Sequence, residues 1–159
     1  VAMTIVNTGE GSNTISTVNG TGVVSVTSSG SGTFEITDAN VDGASASLVV
    51  DGSNQTGTVD VDASNSTAAT TMTGGAGADT LIGGSGNDSL VGGAGNDAIT
   101  LNGGFDTVDA GAGTDTITVG GNIPVNNFGS IRRAGCLQHN IDNPRTKAVR
   151  CRSNCTAGT

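Results

Sequence analysis

Bulky apolar side chains are scarce. The 159-residue chain has no tryptophan, no tyrosine and three phenylalanines, against 27 glycines. That leaves too little material for the core of an ordinary globular enzyme. No apolar run approaches the roughly 18 to 20 residues that a helical membrane span needs. Charged residues make up only 13% of the chain, so the composition is not that of a highly charged disordered segment either. Residues 1–131 contain no lysine or arginine, yet they hold thirteen of the fourteen acids. Such a stretch attracts cations and cannot grip nucleic acid or phosphate by charge. Catalytic signatures are missing too. A single histidine rules out H-E-x-x-H, no G-x-S-x-G elbow occurs, and no lysine follows a glycine loop. The chain reads as non-catalytic. It opens at Val1 without a signal peptide and reads as a piece of a longer protein.

What is present is small, polar and β-branched. From Val1 to about Met72, short clusters such as Val23-Val24-Ser25-Val26, Phe34-Glu35-Ile36, Ser47-Leu48-Val49-Val50 and Thr58-Val59-Asp60-Val61 alternate with Gly, Asn, Asp and Ser breaks. These read as strands joined by turns. Their spacing suits either a β-sandwich or a parallel β-solenoid, and spacing alone does not choose between the two. Residues 1–72 are therefore a β-rich lead-in.

At Gly74 the pattern acquires a period of nine. Three units, Gly74–Ile82, Gly83–Val91 and Gly92–Thr100, follow one template, and Leu101–Asp109 and Ala110–Thr118 are worn copies of it. Asp79, Asp88, Asp97, Asp106 and Asp115 recur nine apart, and Leu81, Leu90, Ile99, Val108 and Ile117 each stand two residues later. If alternate units stack on the same edge at the 4.7–4.9 Å spacing of neighbouring strands, Asp79, Asp97 and Asp115 form one column and Asp88 with Asp106 another. Two carboxylates that close repel by about 1 kcal/mol in water and about 3.5 kcal/mol at an effective dielectric constant near 20. With no base in the segment, a bound cation must relieve the repulsion. Glycine-rich turns can aim carbonyl oxygens inward, and a set of hard oxygen ligands suits Ca2+ better than magnesium or the softer transition metals. The expected ligand-bearing residues are the five aspartates with Gly75, Gly77, Gly84, Gly86, Gly93 and Gly95. Three sites follow, between Asp79 and Asp97, Asp88 and Asp106, and Asp97 and Asp115. The first should be the best formed, because units four and five lack the opening Gly-Gly.

These units resemble the G-G-x-G-x-D-x-U-x nonapeptide of the repeats-in-toxin (RTX) family. The resemblance implies an all-β fold in which paired nonapeptides form the coils of a parallel β-roll over residues 73–124, with calcium between stacked turns. It also implies a secreted or cell-surface bacterial origin and export by type I secretion. The Thr/Val/Asp-rich lead-in looks most like surface-layer or adhesin relatives, for which self-association or surface attachment through the parent protein is expected. The alternative is an accessory export and stability domain of a secreted hydrolase or toxin whose catalytic domain lies elsewhere. Either way the repeats should fold only when calcium binds.

Three other features compete for attention. Asp38-Ala-Asn-Val-Asp-Gly43 matches the opening of a calcium loop, but position twelve is Val49 where a glutamate belongs, so a hairpin turn at Asp42-Gly43 is preferred. Asp60 and Asp62 fall on one solvated strand face. Residues 125–159 hold all six bases, the three cysteines and His139. Their spacing, Cys136-x2-His139 with Cys151-x3-Cys155, could supply zinc ligands or a disulfide, but the shift in composition marks the segment as foreign to the repeats and without order.

Overall fold

A computed structural model describes residues 3–120, 128–133, 136–137 and 148–150. The lead-in contributes β1 (Met3–Thr8), β2 (Asn13–Ile15), β3 (Val18–Gly20), β4 (Val23–Gly30), β5 (Phe34–Ile36), β6 (Ala39–Val41), β7 (Ser47–Gln55), β8 (Val59–Asp62) and β9 (Ala69–Thr73). The repeats contribute β10 (Thr80–Ile82), β11 (Ser89–Val91), β12 (Ala98–Leu101), β13 (Asp106–Asp109) and β14 (Thr116–Val119). Beyond them come β15 (Phe128–Arg133), β16 (Cys136–Leu137) and β17 (Ala148–Arg150). The described residues include no helix long and apolar enough to cross a membrane.

The strands wind into a parallel β-solenoid of about six turns. One sheet runs β1-β4-β7-β9-β11-β13-β15-β16, the other β17-β14-β12-β10-β8-β5-β2, and β3 with β6 makes a short third side. Of the two architectures open to the lead-in, the solenoid is the one formed, and both large sheets run through residues 72 and 73 without a break. Every pairing within residues 3–120 is parallel. The coil step changes along the axis. Met3 pairs with Val24 and Phe34 with Val59, steps of 21 and 25 residues, whereas Thr80 pairs with Ala98 and Ser89 with Thr107, steps of 18.

Alternation of side chains across each strand sends every second residue inward. Register then stacks like on like. Ile36, Val61, Leu81, Ile99 and Ile117 follow one another along one sheet, and Val26, Val50, Met72, Leu90 and Val108 along the other. All ten are buried. Strands of three or four residues suffice because each needs to bury only one or two side chains.

The expected hairpin at Asp42-Gly43 does not form. β6 pairs with β3 and β7 with β4 and β9, so the two segments flanking this turn lie in different sheets. The turn is a solenoid corner, with Gly43 at φ +116° and Asp42 accepting hydrogen bonds from the backbone N–H and hydroxyl of Thr67 in the next coil. Of the residues beyond 124, Cys136 falls in β16, while His139, Cys151 and Cys155 lie outside the described residues.

Truncation of the fully buried Leu48 to alanine should cost about 2–5 kcal/mol. The same change at Phe105, which is 57% exposed, should fall within about 0.5 kcal/mol. Urea unfolding of the calcium-loaded chain measures both, and equal midpoints for the two variants would contradict this packing.

Candidate metal centre

The predicted columns form as stacks of aspartates at the two edges of the roll. Asp79, Asp88, Asp97, Asp106 and Asp115 are all buried, none more than 4% exposed. Each sits just before a repeat strand or at its first residue, where the chain leaves the turn. One carboxylate oxygen of each is held by the coil before it. The backbone N–H of Asp79 donates to Asp97 Oδ1 at 2.9 Å, that of Asp88 to Asp106 Oδ1 at 2.9 Å, and that of Asp97 to Asp115 Oδ1 at 3.1 Å. Val59 N–H and Thr70 N–H do the same for Asp79 and Asp88, at 2.8 and 2.9 Å.

The second oxygen separates Asp79 from the rest. Its Oδ2 accepts Gly75 N–H at 2.6 Å. The Oδ2 atoms of Asp88, Asp97, Asp106 and Asp115 are buried with no hydrogen-bond partner. A buried ionised oxygen without a partner costs several kcal/mol unless a proton or a cation meets it. Burial accordingly raises the carboxyl pKa of Asp79 and Asp88, and pushes those of Asp97 and Asp106 up to about 6. Backbone N–H groups oppose the shift. At Asp97 the neighbouring charges of Asp79 and Asp115 reinforce it, as that of Asp88 does at Asp106.

The turns pack at backbone contact. A Cβ on Gly77 would meet the carbonyl of Gly57, one on Gly95 that of Gly77, and one on Gly113 that of Gly95. The ladder continues below the repeats, from Gly57 to Gly32 and from Gly32 to Gly11. Gly84 and Gly86 likewise sit over the carbonyls of Ser66 and Ala68. Of the glycines expected in the site, Gly93 and Gly95 have φ of +110° and +121°. Gly75, Gly77, Gly84 and Gly86 are required by close approach alone.

Sequence reasoning passed over the first glycine of each unit. A Cβ on Gly74, Gly83 or Gly92 would run into Oδ2 of Asp79, Asp88 or Asp97 respectively. The signal was available, since the motif opens with two glycines and only the second had been given a task. Val59 and Thr70 carry no signal of their own, because their N–H groups matter only once the coils are stacked.

The donor set fits calcium. The described residues contain no cluster of three or more His, Cys, Asp or Glu side chains that could hold a metal. What these edges do offer is unpartnered carboxylate oxygens beside closely packed turn carbonyls, a hard all-oxygen set that suits calcium and not zinc. Asp60 and Asp62 lie elsewhere, with Glu35, along an open cleft of about 270 Å³ on the outer face of the second sheet.

Residues 66–99, 73–108 and 99–122 match the RTX calcium-binding nonapeptide repeat, in four copies. These matched residues are thus RTX calcium-binding repeats, and the described part of them, 66–120, is wound as a β-roll. The match reaches back to residue 66, where Ser66 and Ala68 supply the carbonyls beneath the turn of unit two. No curated protein and no solved structure matches the chain.

Two predictions follow from this geometry. Gly95→Ala combines a positive φ with a collision against the Gly77 carbonyl and should destabilise the calcium-loaded roll by about 1–3 kcal/mol, whereas Ala94→Ser should not. For the metal-free chain, the folded-state pKa of Asp97 and Asp106 is about 6 against an ordinary 3.8, so the folded form takes up protons more readily than the unfolded one. The stability this provides is complete below about pH 3.8 and is lost as pH rises through about 6. Circular dichroism in chelator should show more β-structure at pH 4 than at pH 7.5, and the opposite order would refute the assignment.

Proposed function

We propose that the five aspartates and the stacked turns form calcium sites between successive coils, and that calcium binding is what orders residues 73–120. One observation carries this reading: the buried, unpartnered Oδ2 atoms of Asp88, Asp97, Asp106 and Asp115, in a stretch with no lysine or arginine before Arg132. Stacking brings together all three expected pairs, and Asp97 belongs to two of them. The residues that would hold the ion are these carboxylates together with turn carbonyls of the glycine-rich units. When bound, calcium supplies positive charge where the chain has none.

In this reading the chain is a non-catalytic segment of a secreted or cell-surface bacterial protein of surface-layer or adhesin type. Its repeats stay unfolded in a cytoplasm poor in calcium and order after export. What supports the surface reading is the lead-in, whose Thr/Val-rich β-strands are further coils of the same solenoid.

Far-UV circular dichroism of the full chain should show a gain in β-structure when chelator is replaced by millimolar calcium, with an apparent dissociation constant of roughly 10⁻⁴ to 10⁻³ M. Magnesium at the same concentration should not replace it. Asp97→Asn should lower the number of ions bound in equilibrium dialysis. A spectrum indifferent to calcium, or an Asp97→Asn chain that binds as many ions as the parent, would end this reading.

A further inference from the structure

The two halves of the solenoid fill the same edge positions with opposite chemistry. Along the second sheet, Phe34 pairs with Val59, and Asp79 takes the next place in that column, its Oδ1 bonded to Val59 N–H. Asp97 and Asp115 follow. Along the first sheet the column runs Val24, Leu48 and Thr70, then Asp88, bonded to Thr70 N–H, and Asp106. Phe34, Val59, Val24 and Leu48 are each at most 2% exposed. These four apolar side chains thus occupy positions that aspartates occupy in the repeats, while Asn13 and Thr70 fill the lead-in places beside Phe34 and Leu48.

The polar groups divide in the same way. In the lead-in, protein groups satisfy the turns. The Gln55 side-chain amide donates to the carbonyl of Gly32, and Ser28 Oγ, itself bonded by Asn7 Nδ2, donates to Gln55 Oε1. On the other edge Ser66 Oγ donates to the Val41 carbonyl and accepts the Val41 N–H. Among the described residues six buried side-chain oxygens lack a partner; four are the aspartate Oδ2 atoms of residues 88–115, and the other two, Asn40 Oδ1 and Thr70 Oγ1, lie earlier. Asp79 stands at the seam, with both oxygens bonded to backbone N–H groups.

We propose that residues 23–73 form a calcium-independent stack that serves as the template for the acidic coils, so that calcium-driven ordering starts at the Asp79 seam and runs toward residue 119. This rests on the calcium reading above. The template presents the open edges of β8 and β9, together with the Val59 and Thr70 N–H groups that hold the first aspartate of each column. The costly nucleation of a first coil is thereby avoided. Each later coil adds to an edge already formed and needs only its own cation.

Hydrogen exchange followed by mass spectrometry on the full chain tests this. In chelator, amides within 23–62 should be protected while those within 80–119 exchange as in an unfolded chain. Calcium at 100 times its dissociation constant should slow exchange in 80–119 by about 100-fold, and at intermediate calcium the 80–91 amides should gain protection before the 106–119 amides. Phe34→Ala should raise the calcium concentration needed to order 80–119, whereas Asp106→Asn should leave the protection of 23–62 in chelator unchanged. If nothing is protected in chelator and calcium protects the whole chain in one step, or if 106–119 orders first, the template is refuted while the calcium reading stands. If 80–119 is equally protected with and without calcium, both fall.

Discussion

Parallel stacking at one strand spacing is the constraint on which everything else in this molecule depends. A residue that recurs once per coil becomes a column of identical groups about 4.8 Å apart. For Leu81, Ile99 and Ile117 the column is a core. For Gly57, Gly77, Gly95 and Gly113 it is backbone packed on backbone, with no room for a methyl group. For Asp79, Asp97 and Asp115 it is a line of like charges turned inward. The same geometry is stabilising, permissive or costly according to the side chain repeated, and only the third case calls for something from outside the chain.

The protein meets that demand in part from its own backbone. One oxygen of each aspartate accepts an N–H from the preceding coil. This bond fixes the carboxylate, and the other oxygen of Asp79, Asp88 and Asp97 lies against the first glycine of its own unit. The lead-in avoids the problem by placing Phe34, Val59, Val24 and Leu48 in the equivalent places. Its turns close with the amide of Gln55 and the hydroxyl of Ser66. A half whose inward edge positions are largely apolar and a half whose edge positions are acidic thus share two continuous sheets while differing in what each needs in order to be stable.

The period of nine made the repeats legible, because arithmetic alone assigns each residue a column once alternate units are stacked. Leu81, Leu90, Ile99, Val108 and Ile117 are buried as the pattern required, and the aspartates pair in the expected order. The lead-in was less legible because its steps vary between 21 and 25. A variable step hides the register, and with it the likeness of Val59 and Asp79 as neighbours in one column. Asp42-Gly43 was misread as a hairpin because a corner and a hairpin use the same turn residues. Only the destination of the following strand separates them. The N–H donors Val59 and Thr70 were beyond reach for a related reason, since any residue except proline offers that group.

The 18-residue step between repeat coils is a phase as well as a length. A substitution in the roll damages one place in one column. Loss or gain of a single residue between Gly74 and Thr118 would turn each later inward side chain outward and move every later aspartate off its stack, so the damage would spread to all coils beyond it. The lead-in, with its unequal steps and its third side at β3 and β6, has corners that can take up an extra residue without passing the error on. Along a single chain, tolerance to changes of length therefore falls where the step becomes regular, and the segment most dependent on an ion is also the one most dependent on an exact count of residues.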